Sequence, residues 1–369
     1  MPSLVISPVR TFSTLMSIDR RKLLLAGAGL PFVASCASDI TLLRDKPPEV
    51  LATDLKVCSA AYVVLRAGIP GSPVLVSGCA DATAQADAVF QAASLTKPVV
   101  AYAALRLALA GQLDLDAPVS RYLPNGYKHF QSPLKRGPGD AHDQVPGSVL
   151  RRVSVAQLLN HSAGFPNWSG KPLAFEFDPG QRWGYSGEGF VLLQSVIESI
   201  GQMDLAAHVE QQVFQPLGMA DSSLVWRDDL EARAVHGFSA LGFRQRVRFP
   251  SALAAASMLT TAADYARFMS ALLANEPLLS LTLSKPIDVD GPLGLQWGLG
   301  WGIERTEGGP CLWQWGNNPG FRAFAMASAS SRDGFVVFTN SDAGMPLAAS
   351  IAQRVLPGEH NAFRFSWVA

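Results

Sequence analysis

The chain has 369 residues, of which 48% are hydrophobic and 16% charged, so it can bury a large core and is too long for a minimal domain. Its 30 Lys and Arg balance 30 Asp and Glu; the net charge gives no footing for a nucleic acid or another anionic polymer as partner. No internal repeat or low-complexity segment is present.

Near the start, Asp19-Arg20-Arg21-Lys22 precedes an eleven-residue apolar run, 23–33. The run is too short to span a membrane and follows a basic region, which is the signal-peptide pattern. The paired arginines resemble a twin-arginine export signal, and Val33-Ala34-Ser35-Cys36 resembles a bacterial lipobox. Residues 1–36 are therefore expected to direct export to the periplasm or cell envelope, with Cys36 lipidated as a membrane anchor. Ordinary cleavage beside a chance cysteine is the alternative. Met16 would give a better-proportioned signal than Met1.

The first folded element expected is a hairpin, 61–66 and 74–77, turning at Gly68-Ile69-Pro70-Gly71. Cys58 and Cys79 flank it almost symmetrically. An oxidising compartment would permit a bridge between them, and two free buried thiols are equally compatible with the spacing. Cys311 is left over and reads as buried.

Ser94-Leu95-Thr96-Lys97 follows, where the small residues Ala92-Ala93 give way to a helix over 99–109 that is apolar nearly all round. Residues three apart share a helix face, so the Lys97 amine stacks beside the Ser94 hydroxyl. A serine is a poor nucleophile until a neighbour takes its proton, and a lysine whose pKa is lowered by desolvation can do so. The bland reading is a lysine that snorkels to solvent. A second S-x-x-K, Ser132 to Lys135, lies in a segment broken by Pro133, Gly137, Pro138 and Gly139, where no helix would hold it. The surrounding polar, glycine-rich stretch 127–147 reads as a mobile loop on the rim of a site.

Further along, Pro179 to Gly187 is a turn-rich run leading into a helix, 190–200, with Tyr185 on the connection and free to project into a cleft. Gln314-Trp315-Gly316-Asn317-Asn318-Pro319-Gly320-Phe321 leads into strand residues 322–328, and a helix over 347–355 closes the chain. No H-E-x-x-H spacing occurs among the six histidines, so no metal and no cofactor is expected. No G-x-S-x-G elbow occurs either; Gly184 to Glu188 ends in the wrong residue. His161 and His360 read as structural hydrogen-bonders, and Glu188 as a helix-start carboxylate. The tryptophans Trp297, Trp301, Trp313 and Trp315 read mainly as core, with Trp315 able to shape a pocket wall.

Taken in order, these motifs resemble the superfamily of class C β-lactamases, D-Ala-D-Ala peptidases and β-lactamase-like esterases. Leu158 to Phe165 is similar to the family's LLTHTSGL loop, Gln215 to Met219 to its PLGM helix end, and Thr261 to Met269 to its STADDLARFM helix. The resemblance runs from about residue 50 to the C-terminus. It implies an α+β fold, an antiparallel sheet flanked by helices with a helical lobe inserted and the active site in the cleft between lobes. One domain over 45–369 would divide into a sheet lobe, about 50–93 and 286–369, and a helical lobe, about 94–285. It also implies that Ser94 attacks a carbonyl, that Lys97 and Tyr185 share the proton work, and that the backbone N–H groups of Ser94 and Asn317 hold the oxyanion. Gln314, Trp315, Gly316, Gly187 and Arg322 would bind substrate: a small ester, amide or β-lactam.

Two departures bear on substrate. Gly187 stands where lactamases and peptidases carry an asparagine that binds the acyl-amide, and Gln314 where a lysine or histidine is expected. Loss of one charge-assisted hydrogen bond weakens binding of a carboxylated substrate roughly 10–100-fold. Arg322 could supply the cation from a neighbouring position. An ester or amide hydrolase is the favoured expectation, with a true β-lactamase or D-Ala-D-Ala carboxypeptidase as the enzymatic alternative. A catalytically dead cell-wall-binding protein is the non-enzymatic one.

Overall fold

Strand Ala60–Arg66 joins an early hairpin to the late strands of the sheet, in a computed structural model that describes residues 40–80 and 85–369. Residues 1–36, expected to be an export signal, and with them Cys36, lie outside the described residues. On one side Ala60–Arg66 pairs antiparallel with Gly334–Thr339, from Ala60↔Thr339 to Leu65↔Gly334. On the other it pairs with Val74–Val76 and Ile69–Pro70, the expected hairpin. Beyond Gly334–Thr339 the sheet continues through Phe321–Ser328, Gly309–Asn318, Gly302–Thr306, Leu295–Trp297 and Ile287–Asp290, each pair antiparallel.

The central strands read as apolar runs because both sheet faces are covered. Their two-residue alternation divides the core. Ala323, Ala325, Val336 and Phe338 pack on helices Thr96–Leu109 and Ala262–Ala274. Phe324, Met326, Phe335 and Val337 pack on helix Met345–Val355. The antiparallel sheet with helices on its faces is the expected α+β fold, and the helices between Thr96 and Leu283 are inserted between its strands.

Helix Thr96–Leu109 is buried from Thr96 to Leu105, as an apolar circumference requires. It approaches the sheet closely because Gly300, at φ +93°, has no side chain; a Cβ there would stand 2.2 Å from that of Ala101. Of the two readings open for Cys58 and Cys79, the structure has the disulfide. Cys311 is a buried free thiol, its pKa pushed up to about 11 chiefly by burial.

The stretch 127–147 is not the loose rim its composition suggested. Tyr127–Phe130 pairs with His142–Val145 as a hairpin, and the second S-x-x-K lies in its connection. Alternation turns Tyr127 and His129 inward, and His129 is fully buried. Its Nδ1 is 2.6 Å from Asp143 and its Nε2 3.3 Å from Glu188. Glu188 also accepts the Ser169 N–H at 2.9 Å. Glu188 is thus a buried tie between the hairpin and helix Gly187–Gly201, where the sequence suggested an ordinary helix-start carboxylate. His360 is structural, as expected: its two ring nitrogens bond Glu304 and the Leu356 carbonyl.

Candidate active site

Ser94 occupies a single helical turn, Ala93–Leu95, that runs directly into helix Thr96–Leu109. Ala93 is held at φ +50°, a left-handed conformation that costs a residue with a Cβ about 1 kcal/mol or more. Its surroundings impose it. Thr96 Oγ1 donates to the Ala93 carbonyl at 2.6 Å and accepts the Met258 N–H at 3.0 Å, while the Tyr265 hydroxyl donates to the Leu95 carbonyl at 3.0 Å.

Lys97 does not snorkel. It is 1% exposed, and its Nζ lies 3.2 Å from Ser94 Oγ and 2.9 Å from the Ala255 carbonyl. Burial is what pulls its pKa from 10.5 to about 7. A substantial share of the amine is therefore neutral at neutral pH and can accept a proton from Ser94.

Tyr185 projects from the connection preceding helix Gly187–Gly201, and Lys97 Nζ stands 4.6 Å above its ring centroid. Burial raises its pKa above the ordinary tyrosine range, against hydrogen bonds with Ser94 and Gln314. It is a protonated phenol wherever Lys97 titrates. The ring is held 4.5 Å from that of His161 and 4.7 Å from that of Trp315. His161 accepts the Ser186 N–H at Nδ1, 3.2 Å away, which leaves its own proton on Nε2. Burial, and then the charge of Lys97, hold it neutral. It supports the phenol, in keeping with the structural role expected of it.

Strand Gly309–Asn318 completes the arrangement. Its neighbour Gly302–Thr306 pairs with it only as far as Trp313, so residues 314–318 form an edge open on that side. Gly316 packs against the Ser94 turn; a Cβ on it would stand 2.5 Å from the Ala92 carbonyl. Asn318 faces Phe321 across the tight turn at Pro319-Gly320, and Asn317 faces Arg322. Since bonded and non-bonded pairs alternate, the Asn317 N–H points away from strand Phe321–Ser328, toward the open edge beside Ser94. Among the described residues, no group of three or more His, Cys, Asp or Glu could hold a metal ion.

Residues 58–358 match the family described as Beta-lactamase. The chain belongs to the beta-lactamase family of serine hydrolases. Esterase EstB of Burkholderia gladioli is 30% identical over 269 residues, 59% of this chain and 66% of the esterase. Penicillin-binding protein 4* of Bacillus subtilis (strain 168) is 26% identical over 159 residues, 37% of this chain and 30% of that protein. The chain thus spans just under two thirds of the first relative's length and under a third of the second's. A solved beta-lactamase/D-alanine carboxypeptidase from Pseudomonas syringae superposes with a TM-score of 0.68 at 19% identity, covering 85% of this chain and 98% of that one. At such identity the likeness speaks for the fold.

Against the beta-lactamase family pattern, the substrate residues expected from sequence fall out differently. Gln314 is fully buried. Its Nε2 donates to the Tyr185 hydroxyl at 3.3 Å and to the Trp315 carbonyl at 2.8 Å, so it orients Tyr185, while its Oε1 has no hydrogen-bond partner among the described residues. Gly316 likewise contributes close packing. Arg322 is already paired: its Nη1 donates to Asp342 at 2.8 Å and to the Phe321 carbonyl at 2.9 Å. At Gly187, an added Cβ would meet the Asn167 carbonyl at 2.7 Å and the Trp168 ring at 2.8 Å. The place where the family's asparagine would start is filled. Trp168 and the Ala255 carbonyl were not identified from sequence: an exposed tryptophan in a loop has no motif, and a main-chain acceptor has no residue signature.

Proposed function

We propose that this protein hydrolyses a small, uncharged ester or amide through an acyl-serine intermediate. The observation that carries this reading is the buried Lys97 amine, 3.2 Å from Ser94 Oγ and with a pKa near 7. Neutral Lys97 takes the Ser94 proton as Oγ bonds to the substrate carbonyl carbon. The carbonyl π pair moves onto oxygen, where the N–H groups of Ser94 and Asn317 stabilise it. Collapse breaks the bond to the leaving oxygen or nitrogen, which receives the proton held by Lys97 by way of the Tyr185 hydroxyl. Water then attacks the acyl-enzyme with the same groups reversing their roles, releasing the acid and free Ser94.

The preference for uncharged substrates is supported by the neutral Gln314, the Arg322–Asp342 pair and the filled place beside Gly187. A carboxylated β-lactam or peptide stem would meet, among these residues, only a cation whose charge Asp342 already balances. A fluorophosphonate probe is expected to add covalent mass at Ser94 and none to Ser94→Ala. Nitrophenyl acetate is expected to turn over far faster than nitrocefin. Failure of the wild type to label and to cleave any activated ester would leave the non-catalytic binding reading ahead. Equal rates on both substrates would favour a true β-lactamase.

The reading extends to an exported protein of the periplasm or cell envelope, anchored through lipidated Cys36. The Cys58–Cys79 disulfide supports it, since such bridges persist in oxidising compartments. Palmitate labelling that is lost in Cys36→Ala is the expected result; no incorporation would remove the anchor.

A further inference from the structure

Beside Asn317, on the side of the sheet where helix Met345–Val355 packs, lies a cavity of about 240 Å³. Trp315, Met345, Pro346 and Trp367 give it apolar walls, and the Arg322–Asp342 pair its charged members. Trp367 is the unusual wall. It is 46% exposed, yet the backbone that carries it is pinned on both sides. Phe363 packs on Phe324 with ring centroids 4.7 Å apart, and Phe365 lies 5.8 Å from Trp313 and 6.0 Å from Trp315. Val368 is buried and donates its N–H to the Phe365 carbonyl at 2.8 Å. Between these anchors the Trp367 ring stands 5.4 Å from that of Tyr185 and 6.1 Å from that of Trp315. A large indole held half in water on a fixed backbone, against a phenol aimed at Ser94, keeps apolar surface available to a ligand.

We infer that Trp367 and Trp315 form a subsite for the alcohol part of the substrate, and that this subsite takes an uncharged aromatic or branched group. The assignment rests on the acyl-serine reading above. In that reading the Tyr185 hydroxyl hands a proton to the departing oxygen, so the departing alcohol lies at Tyr185, and Trp315 and Trp367 flank that ring on the cavity side. On the Gly187 side, Trp168 stands where a side chain at 187 would begin, 2.8 Å from its Cβ. Size fits a single ring, since a dry cavity of about 150 Å³ admits benzene in other proteins. Charge gives a carboxylate little advantage, because the Arg322 charge is already balanced by Asp342 at 2.8 Å.

Benzyl acetate and ethyl acetate release alcohols of similar basicity, so the ratio of their kcat/KM values reports the subsite. The wild type is expected to favour benzyl acetate, and para-carboxybenzyl acetate is expected to lose that advantage. Trp367→Ala is expected to lower the benzyl-to-ethyl ratio about 10-fold, and Trp367→Phe by a smaller factor. The ratio of nitrophenyl butyrate to nitrophenyl acetate, which varies the acyl side, should hold in both variants. An unchanged benzyl-to-ethyl ratio overturns the subsite. So does an equal loss on every ester, which would mark Trp367 as structural. Ester hydrolysis that survives in Ser94→Ala overturns the acyl-serine reading instead.

Discussion

Lys97→Met is expected to lower kcat/KM for an activated ester by about 10³-fold or more, because it removes the group that takes the Ser94 proton. The same substitution is expected to stabilise the fold at neutral and acid pH. In the folded chain the amine has a pKa of about 7, against 10.5 for an unburied lysine. Between those values the unfolded chain binds more protons, so wild-type stability falls as pH falls from the upper value to the lower and stays low beneath it. Methionine fills a similar volume and carries no charge to desolvate, although the Ala255 carbonyl loses its donor. Melting followed by circular dichroism should therefore show the variant above wild type at about pH 6, with the gap narrowing toward about pH 10. A gap that does not change with pH would mean that the amine is not held neutral by burial.

Gly187→Asn, which restores the family's usual residue, is expected to damage the enzyme and not to convert it. The new Cβ would press on the Asn167 carbonyl and the Trp168 ring, at 2.7 and 2.8 Å. Overpacking of this kind costs about 1–3 kcal/mol. Gly187 lies two residues from Tyr185, and its N–H is bonded to Asn167, so the strain is passed to the phenol. A displacement of that sort lowers ester kcat/KM by about 10–100-fold. Adding Trp168→Ala should relieve the ring contact and leave the carbonyl contact in place, so recovery should be partial. Nitrocefin turnover appearing in the single variant, with its melting temperature unchanged, would show that the place beside Gly187 is open.

Sequence made the cluster of Ser94, Lys97 and Tyr185 legible because local geometry sets it. Three-residue spacing at a helix start brings Lys97 to Ser94, and a turn-rich connection frees Tyr185. The α+β sheet was legible through the family resemblance, since its central strands are apolar on both faces, with Ala323 and Ala325 on one and Phe324 and Met326 on the other. What stayed hidden depends on partners distant in the chain. The bond from Gln314 to Tyr185 was not legible, because the direction of one strand side chain is decided by what covers that face. Arg322 looked uncommitted until Asp342, on another segment, was brought to it. The hairpin at 127–145 was masked by its polar composition: the buried His129 lies between Asp143, at 2.6 Å, and Glu188, at 3.3 Å, where polar residues normally signal surface. Trp367 carries no motif, and only the folding back of its segment sets it beside Tyr185.

The pH dependence of kcat/KM for an uncharged ester tests the central claim most directly. A titrating base at Lys97 predicts a rate that climbs through an apparent pKa of about 7 and then levels, with no alkaline decline until Tyr185 begins to ionise above the ordinary tyrosine range. A climb delayed to about pH 10, where an unburied lysine titrates, or a profile flat through neutrality, would contradict it.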